Sequence, residues 1–140
     1  RGPGVPAVAR VEEPGATLDL CATFADFAET APQLPQHGQS LRALMTGGSE
    51  GREFAMNEWE LLPTRAGVAL SLRTVRSETA KLTVDLRSGA GELYDLSTDP
   101  DEMENLFDQA QAAALQAKLM EYLHSRPDDM RPNQEQVGMA

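Results

Sequence analysis

The stretch from Gly91 to Leu106, with the sequence GELYDLSTDPDEMENL, constrains the fold of this chain more than any other. Its first half contains residues that favour a strand, namely Leu93, Tyr94 and Leu96. Pro100 disfavours helical backbone at Asp99 and is itself well placed at a first helical position, so Asp99 is predicted to be an N-cap. Glu102, three residues after this cap, completes a capping-box spacing. The stretch therefore predicts a short strand, a sharp stop and a capped helical turn.

A run of short strands is predicted to precede the strand of this stretch. The segments are Glu53 to Trp59, Val68 to Arg76 and Lys81 to Arg87, and the fourth strand is Glu92 to Leu96. The second and third alternate apolar with polar residues, which is typical of a strand with one buried face. A glycine-containing hairpin loop, residues 88–91, joins the last two strands. Such short links predict a four-stranded antiparallel sheet.

Two amphipathic helices are predicted, one before the sheet and one after it. The first spans Thr17 to Glu29, with Thr17 or Asp19 as its cap. Its apolar stripe consists of Leu20, Phe24, Phe27 and Ala28. The second helix spans about Gln109 to His124 and is capped by Asp108. Its predicted buried face consists of Ala112, Leu115, Leu119, Tyr122 and Leu123. The chain is therefore predicted to be α+β, with the C-terminal helix covering the sheet.

The two ends of the chain carry weaker patterns. Alternating residues from Val5 to Val11 predict a strand, and Ser40 is predicted to begin a short helix. A flexible break follows at residues 46–51, and the polar segment 126–140 is predicted to be loose.

The composition argues against several classes of function. A formal net charge of −10 argues against binding to nucleic acids and to anionic membrane surfaces. No apolar run approaches the ~20 residues of a membrane-spanning helix. The single cysteine, Cys21, excludes an internal disulfide framework and gives no evidence on the compartment. Its position in a helix predicts a small packed residue rather than a nucleophile.

No catalytic or metal-binding set is evident in the sequence. The acidic residues between 99 and 104 lack the glycine and the spacing of a calcium loop, so they are predicted to cap and to be solvated. His37 lies in a loop, and His124 is predicted to cap helix carbonyls rather than bind a metal. Arg73, Arg76 and Lys81 can attract an anion, but ion pairs with the many acidic residues are the favoured prediction. We therefore assign no catalytic residue, metal ligand or cofactor to this chain.

Five separated pieces of the chain, in the same order, resemble the sulfatase family. The most specific is Glu92-Leu93-Tyr94-Asp95-Leu96 with Asp99-Pro100, Glu102 and Asn105-Leu106, which resembles the closing strand and turn of that family. The others are Val5-Pro6, the helix from Asp19 to Ala28, the piece from Gly38 to Leu44, and Arg73-Thr74-Val75-Arg76 with Lys81-Leu82. The resemblance, to enzymes of the arylsulfatase and N-sulphoglucosamine sulphohydrolase type, spans about residues 5 to 124.

The resemblance implies that the chain is the C-terminal portion of a larger enzyme. Residues 1–50 are expected to end a large α/β domain of the alkaline-phosphatase-like type, residues 51–125 to form a C-terminal sheet and helix, and residues 126–140 to form a polar tail. Sulfatases cleave sulfate esters or sulfamates with Ca²⁺ and a formylglycine, which is made within Cys/Ser-x-Pro-x-Arg. The sequence after Cys21 lacks both the proline and the arginine. The resemblance therefore places formylglycine and Ca²⁺ upstream, and the chain alone is expected to be inactive.

Residues near the end of the first strand are candidates for the rim of a substrate site. Asn57, Glu58 and Trp59, with Arg65 in the following link, combine a stacking ring with polar and cationic groups. The competing interpretation is that Trp59 fills the junction with the upstream domain. The expected partners are the upstream sulfatase domain and a sulfated small molecule or sugar. A homo-oligomer formed through the C-terminal tail is a further expectation.

Two other functions stay open at this point. One is a stand-alone acidic interaction module that kept the fold and lost the enzyme. The other is the C-terminal part of a phosphonate or phosphate ester hydrolase of the same superfamily. A formylglycine motif upstream of Arg1 favours the sulfatase, a start codon favours the module, and an unmodified Thr or Ser nucleophile with two-metal ligands favours the third.

Overall fold

The chain forms one antiparallel sheet with helices before and after it. The computed structural model describes residues 2, 4–7, 10–31, 36–49, 51–63 and 67–126. Its elements are α1 (Asp19–Phe27), α2 (Arg42–Met45), β1 (Phe54–Leu61), β2 (Leu70–Ser77), β3 (Ala80–Asp85), β4 (Gly91–Asp95), a 3₁₀ turn (Ala110–Ala112) and α3 (Ala113–His124). The strands pair in the order β1-β2-β3-β4. The predicted α+β class with a four-stranded antiparallel sheet is confirmed.

The core lies between one face of the sheet and α3. Val75, Leu82 and Leu93 are paired in register across β2, β3 and β4, and all three are fully buried. Each buried side chain of this size contributes about 1.5–3 kcal/mol to the stability of the fold. The predicted buried face is confirmed, because Ala112 of the 3₁₀ turn and four residues of α3 pack in this core, namely Leu115, Leu119, Tyr122 and Leu123.

The opposite side of the sheet, which we call the outer face, carries the alternate residues of each strand. Three rows of paired residues cross it: Trp59, Leu72 and Asp85; Asn57, Thr74, Thr83 and Glu92; and Ala55, Arg76, Lys81 and Tyr94. The hydroxyl oxygens of Thr74 and Thr83 are 2.9 Å apart and share a hydrogen bond. The outer face therefore changes from apolar at Trp59 to cationic at Arg76 and Lys81.

The capped helical turn predicted after β4 is not formed. The Asp99 carboxylate accepts a hydrogen bond from Glu104 N at 2.8 Å, five residues later, and so closes a loop rather than a helical turn. Glu102 has a φ of 56°, which a right-handed helix does not contain. Its carboxylate forms an ion pair with Lys81 instead of returning to the cap. The prediction is wrong because this contact with the sheet replaces the local capping box.

Asn105 closes the free edge of β4. Its Oδ1 accepts hydrogen bonds from Leu93 N at 3.0 Å and from Phe107 N at 2.9 Å. Its Nδ2 donates to Gly91 O at 3.2 Å. Leu106 N donates to Leu93 O at 2.8 Å. Backbone groups at a sheet edge are a template for further strands unless they are bonded, so the Asn-Leu pair acts as a substitute for a fifth strand.

Helix α1 turns its polar side towards the rest of the chain. Asp19 is fully buried, accepts a hydrogen bond from Gln39 N at 3.0 Å and forms an ion pair with Arg52. Thr23 is buried too, and its Oγ1 accepts a hydrogen bond from Leu41 N at 2.9 Å. These contacts join α1 both to the segment before α2 and to the residues that lead into β1.

Most of the apolar stripe of α1 is exposed, and only Phe27 of its four residues is half-buried. Phe24 is 67% exposed and Leu20 is 47% exposed. Cys21 is also exposed, where a packed residue was predicted, and its Sγ accepts a hydrogen bond from Gln36 Nε2 at 3.1 Å. The reason is that the polar side of α1, with Asp19 and Thr23, packs against the neighbouring segments of the chain, so the apolar side faces away from them.

The side-chain caps predicted for the first and the last helix are not observed. No side chain caps α1, because Leu18 occupies the cap position. Helix α2 begins at Arg42, two residues after the predicted start at Ser40, and Ser40 Oγ accepts a hydrogen bond from Arg42 N at 3.1 Å. Asp108 does not cap the last helix, because its Oδ1 accepts a hydrogen bond from Gln116 Nε2 at 2.9 Å.

The strand predicted from Val5 to Val11 is not formed by the described residues of that segment. A strand needs a paired neighbour for its backbone groups, and the sheet pairs only β1 to β4 among the described residues. Residues 127–140 lie outside the described residues, and so does the predicted contact between copies through the tail. None of the helices α1 to α3 in the described part of the chain is long and apolar enough to cross a membrane.

Gly91→Ala is expected to destabilise the fold by about 1–3 kcal/mol, the usual cost of overpacking. A Cβ at this position would lie 2.4 Å from the nearest atom of the Phe107 ring, so the ring or the strand must move. Urea denaturation followed by circular dichroism measures the loss. Gly15→Ala is the matched control, because its nearest atom is Leu41 Cδ1 at 3.9 Å. Equal midpoints for all three proteins would contradict the prediction.

Candidate functional site

The candidate rim residues lie on β1, an edge strand of the sheet. Asn57 and Trp59 project from the outer face, whereas Glu58 projects towards the α3 side, because neighbouring residues of a strand point to opposite faces. The sequence groups all three side chains, and the structure separates Glu58 from the other two. Arg65 lies outside the described residues, so its place in the group stays a prediction.

Glu58 is part of a set of ion pairs on the α3 side of the sheet. Its Oε1 lies 3.2 Å from Arg73 Nε, and its carboxylate also pairs with Arg126, just after α3. Arg73 makes a second ion pair with Glu60, at 2.8 Å. The Ser71 hydroxyl and Arg73 together hold the pKa of Glu60 below its usual range. These contacts connect β1, β2 and the end of α3.

Trp59 is 56% exposed and adjoins other apolar residues at one end of the outer face. Leu72 is its paired neighbour, and Leu61 pairs with Leu70 at the end of the same hairpin. A cluster of exposed apolar residues marks a contact surface. A tryptophan ring in such a surface can stack on a sugar or fill an interface between domains.

A cavity of about 640 Å³ lies beside β1, and its lining combines residues 15–18, residues of the outer face, and Glu58 and Arg126 from the α3 side. Asn57 and Glu58 both line it, so two of the predicted rim residues meet there. Arg76, Lys81 and Arg126 line it as well. Arg126 is not among the site residues predicted from the sequence. Arg76 and Lys81 lie opposite each other in the register of β2 and β3, so a sequence-based prediction of this register would have placed the two cations together.

The cations of this cavity are ion-paired, as the sequence predicts. Lys81 pairs with Glu102, and Arg76 Nη1 lies 3.7 Å from the same carboxylate. Lys81 Nζ also lies 5.7 Å from the centre of the Tyr94 ring, within cation–π distance. Burial and then the nearby carboxylates of Glu92 and Glu102 raise the pKa of Tyr94, so its hydroxyl stays protonated.

The donor groups of the described residues do not form a site for the calcium ion of a sulfatase. Within the described residues there is no group of three or more His, Cys, Asp or Glu side chains that could hold a metal ion. The sequence contains no Cys/Ser-x-Pro-x-Arg motif from which a formylglycine is made. His124, predicted to cap helix carbonyls, is exposed at the end of α3, and Ser125 Oγ donates to Tyr122 O at 2.7 Å there.

Asp85, in the same row of the outer face as Trp59, fixes the β3–β4 hairpin. Its Oδ1 accepts hydrogen bonds from Ser71 N at 2.9 Å and from Arg87 N at 3.2 Å. Its Oδ2 accepts hydrogen bonds from Ser88 Oγ at 2.6 Å and from Ser88 N at 3.2 Å. These bonds, above all the one from the Ser88 hydroxyl, lower the pKa of Asp85 to about 2. The ionised carboxylate therefore holds β2 and the hairpin loop in place.

Comparison with known families identifies the chain. The family model described as N-sulphoglucosamine sulphohydrolase, C-terminal, matches residues 4–129. The chain belongs to this sulfatase family. The resemblance carried by Leu93-Tyr94-Asp95-Leu96 and Asn105-Leu106 is thereby confirmed, and the sheet with α3 is that of a sulfatase C-terminal domain.

Individual relatives of this sulfatase domain are longer hydrolases. The domain is 30% identical over 121 residues to Delta 4,5-hexuronate-2-O-sulfatase of Bacteroides thetaiotaomicron, which covers 82% of this chain and 25% of that protein. A solved 2-O GAG sulfatase matches with a TM-score of 0.76 and 28% identity, over 88% of this chain and 27% of that one. Phosphonate monoester hydrolase of Agrobacterium radiobacter matches with a TM-score of 0.65 and 27% identity, over 76% of this chain and 23% of that one. The domain thus spans about a quarter of the length of these relatives.

The low pKa of Asp85 predicts that stability depends on pH. Because the folded pKa of about 2 lies below the ordinary value of 3.8, the stabilisation is fully present above the ordinary value and is lost as pH falls through the folded one. Asp85→Asn is expected to lower the urea midpoint at neutral pH, and the difference from the unmodified domain should shrink across that interval. Asp101→Asn, in the exposed loop after β4, is the control. A difference that stays constant with pH would remove Asp85 from this role.

Proposed function

We propose that this sulfatase domain is the non-catalytic end of a larger sulfatase, where it docks on the upstream domain and closes one side of the substrate cleft. In this proposal residues 1–50 complete the large α/β domain, residues 51–125 form the C-terminal unit and residues 126–140 form a tail. Formylglycine and Ca²⁺ belong to the upstream domain. The substrate is a sulfated sugar, by analogy with the hexuronate-2-O-sulfatase and the 2-O GAG sulfatase that the chain resembles.

The observation that carries this proposal is the outward orientation of the apolar side of α1. Leu20 and Phe24 are both exposed in a helix whose polar side is bonded to the chain. An amphipathic helix normally buries its apolar stripe, and a group of exposed apolar residues marks an interaction surface. The relatives supply the occupant, because about three-quarters of their length lies outside the part that matches. The upstream domain therefore covers this side of α1.

The outer face is the part of the domain that we assign to the cleft. It combines Trp59 and Asn57 with the cations of the cavity, and such a mixture of ring, amide and positive charge suits a sulfated sugar. Arg65 joins this group as a prediction from the sequence alone. Glu58 contributes indirectly, through the ion pairs that hold β1 against Arg73 and Arg126.

A phosphonate monoester hydrolase is the second candidate for the complete protein. The observation in its favour is the likeness to the enzyme of Agrobacterium radiobacter, at nearly the same identity as to the sulfatase structure. The two candidates share the role of this domain and differ in the chemistry of the upstream one. A comparison of sulfate and phosphonate monoesters as substrates separates them.

The complete protein is expected to hydrolyse an aryl sulfate with Ca²⁺ faster than the corresponding phosphonate monoester. The 140 residues alone are expected to hydrolyse neither, because they hold no nucleophile motif. Release of the aryl group measured with both substrates and both proteins tests this. Turnover by the isolated chain that a substitution within it abolishes would show a catalytic site in this domain. Preference of the complete protein for the phosphonate would favour the second candidate.

Trp59→Ala and Phe24→Ala are expected to separate the cleft from the docking surface. In the complete protein, Trp59→Ala should raise KM about three- to tenfold with a near-normal thermal midpoint, because a stacked ring contributes about 0.5–1.5 kcal/mol. Phe24→Ala should lower the midpoint of the complete protein and leave that of the isolated chain unchanged.

Glu58→Gln is the companion variant, because it alters a residue of β1 on the other side of the sheet. A large loss of midpoint for Trp59→Ala, with normal KM, would make Trp59 an interface residue. An equal loss for Phe24→Ala in the isolated chain would place that ring in the fold of the domain itself.

A further inference from the structure

Arg76 and Lys81 bring two positive charges to one place on the outer face. They are directly paired across β2 and β3, and both line the cavity of about 640 Å³. Side chains at paired positions on one face of a sheet have Cβ atoms about 4.5–5.5 Å apart, close enough to contact the same anion. Like charges at such positions repel each other, so the pair requires a negative partner.

Glu102 is the negative partner within this domain, and it compensates only one of the two charges. It contacts Lys81 closely, whereas Arg76 Nη1 lies 3.7 Å away, beyond hydrogen-bond distance. The Arg76 side chain is 55% exposed. Arg73, on the same strand, is the contrast, because it is 16% exposed and has carboxylate oxygens at 3.2 and 2.8 Å. Arg73 is thus a structural cation, and Arg76 keeps N–H donors available at the cavity.

The lining of the cavity is positive although the domain is strongly acidic. Its charged residues are Arg76, Lys81, Arg126 and Glu58, three cations and one carboxylate, while the formal net charge of the chain is −10. A second cavity, of about 430 Å³, has the charged residues Glu13, Arg52, Glu53, Glu78 and Lys118, with carboxylates in excess. The positive lining is therefore local. A concave surface with an excess of one charge concentrates ligands of the opposite charge.

The neutral part of the lining suits a saccharide. Asn57 and Thr74 offer hydrogen-bonding groups, and Leu18 and Met56 offer apolar surface. A sugar presents hydroxyl groups at its edge and C–H groups on its faces, so it matches both. The volume lies within the ~300–1,000 Å³ that is usual for small-molecule sites.

We infer that this cavity binds a sulfate group of a saccharide and that Arg76 is the residue that selects it. The guanidinium can donate two parallel hydrogen bonds to two oxygens of the same anion. Lys81, at the paired strand position, is the cation that Glu102 contacts closely. This inference rests on the proposed function, since it takes the outer face as one side of the substrate cleft. It adds a charge-recognising residue to the neutral groups of Asn57 and Trp59.

The test is a titration of the 140-residue chain, followed by NMR, with three probes at low ionic strength. The probes are a hexuronate-containing disaccharide with one sulfate ester, the same disaccharide without sulfate, and sodium sulfate. The sulfated disaccharide is expected to shift the signals of Asn57, Thr74 and Arg76, and sodium sulfate to compete with it. Arg76→Ala should raise the Kd at least about tenfold, because hydrogen bonds between charged groups are among the strong ones. Arg76→Lys should raise the Kd less than Arg76→Ala does, because lysine keeps the positive charge.

Arg87→Ala is the matched control. Its side chain is also 55% exposed and lies 3.9 Å from a single carboxylate, that of Glu60, and it does not line the cavity. Arg87→Ala should change the Kd less than about twofold, as expected for an exposed and weakly paired cation. Equal losses for Arg76→Ala and Arg87→Ala would mean that only the overall charge matters and would overturn the inference. Equal binding of both disaccharides, or no binding of the sulfated one, would overturn it as well.

Kinetics of the complete protein separate this inference from the proposed function. If sulfate esters are cleaved and Arg76→Ala leaves KM unchanged, the inference fails and the function stands. If no sulfate ester is cleaved by the unmodified complete protein, the proposed function fails. A raised KM with unchanged kcat and unchanged thermal midpoint for Arg76→Ala supports both.

Discussion

The buried carboxylate of Asp19 fixes the orientation on which the rest of this domain depends. It joins α1 to Gln39 and, through Arg52, to the residues that lead into β1. Breaking a buried ion pair by removing one partner costs about 3–5 kcal/mol, because the other charge is left uncompensated. The pair therefore holds the polar side of α1 inward. Leu20 and Phe24 must then face outward, so one ion pair determines which surface is available to another domain.

The strands and α3 are predictable from sequence because their patterns are local. Alternation along β2 and β3 places Val75 and Leu82 on the same face, and the helical period does the same for Leu119 and Leu123. The orientation of α1 is not predictable in this way. A hydrophobic stripe shows that a helix buries one side, but it does not show what buries it. Where the covering surface lies outside the chain, the stripe faces away.

The loop after β4 and the cavity depend on contacts between distant residues. Asp99-Pro100 correctly indicates a stop, but the ion pair of Glu102 with Lys81 depends on how the loop returns to the sheet. The role of Asn105 depends on β4 being an edge strand. Asn57 and Trp59 are two residues apart in a strand and therefore lie on the same face, which can be predicted from the sequence. The pairing of two cations across β2 and β3 requires the register, which the short connection after Ser77 determines.

The two edges of the sheet, β1 and β4, are unequal because the backbone groups of β4 are hydrogen-bonded. Asn105 and Leu106 form hydrogen bonds with the outward-pointing backbone groups of Gly91 and Leu93. Among the described residues, β1 forms the other edge of the sheet. A strand from elsewhere in a larger enzyme, or from a second molecule, can therefore extend this sheet only along β1. An added strand would therefore pair with β1, the strand that contains Trp59.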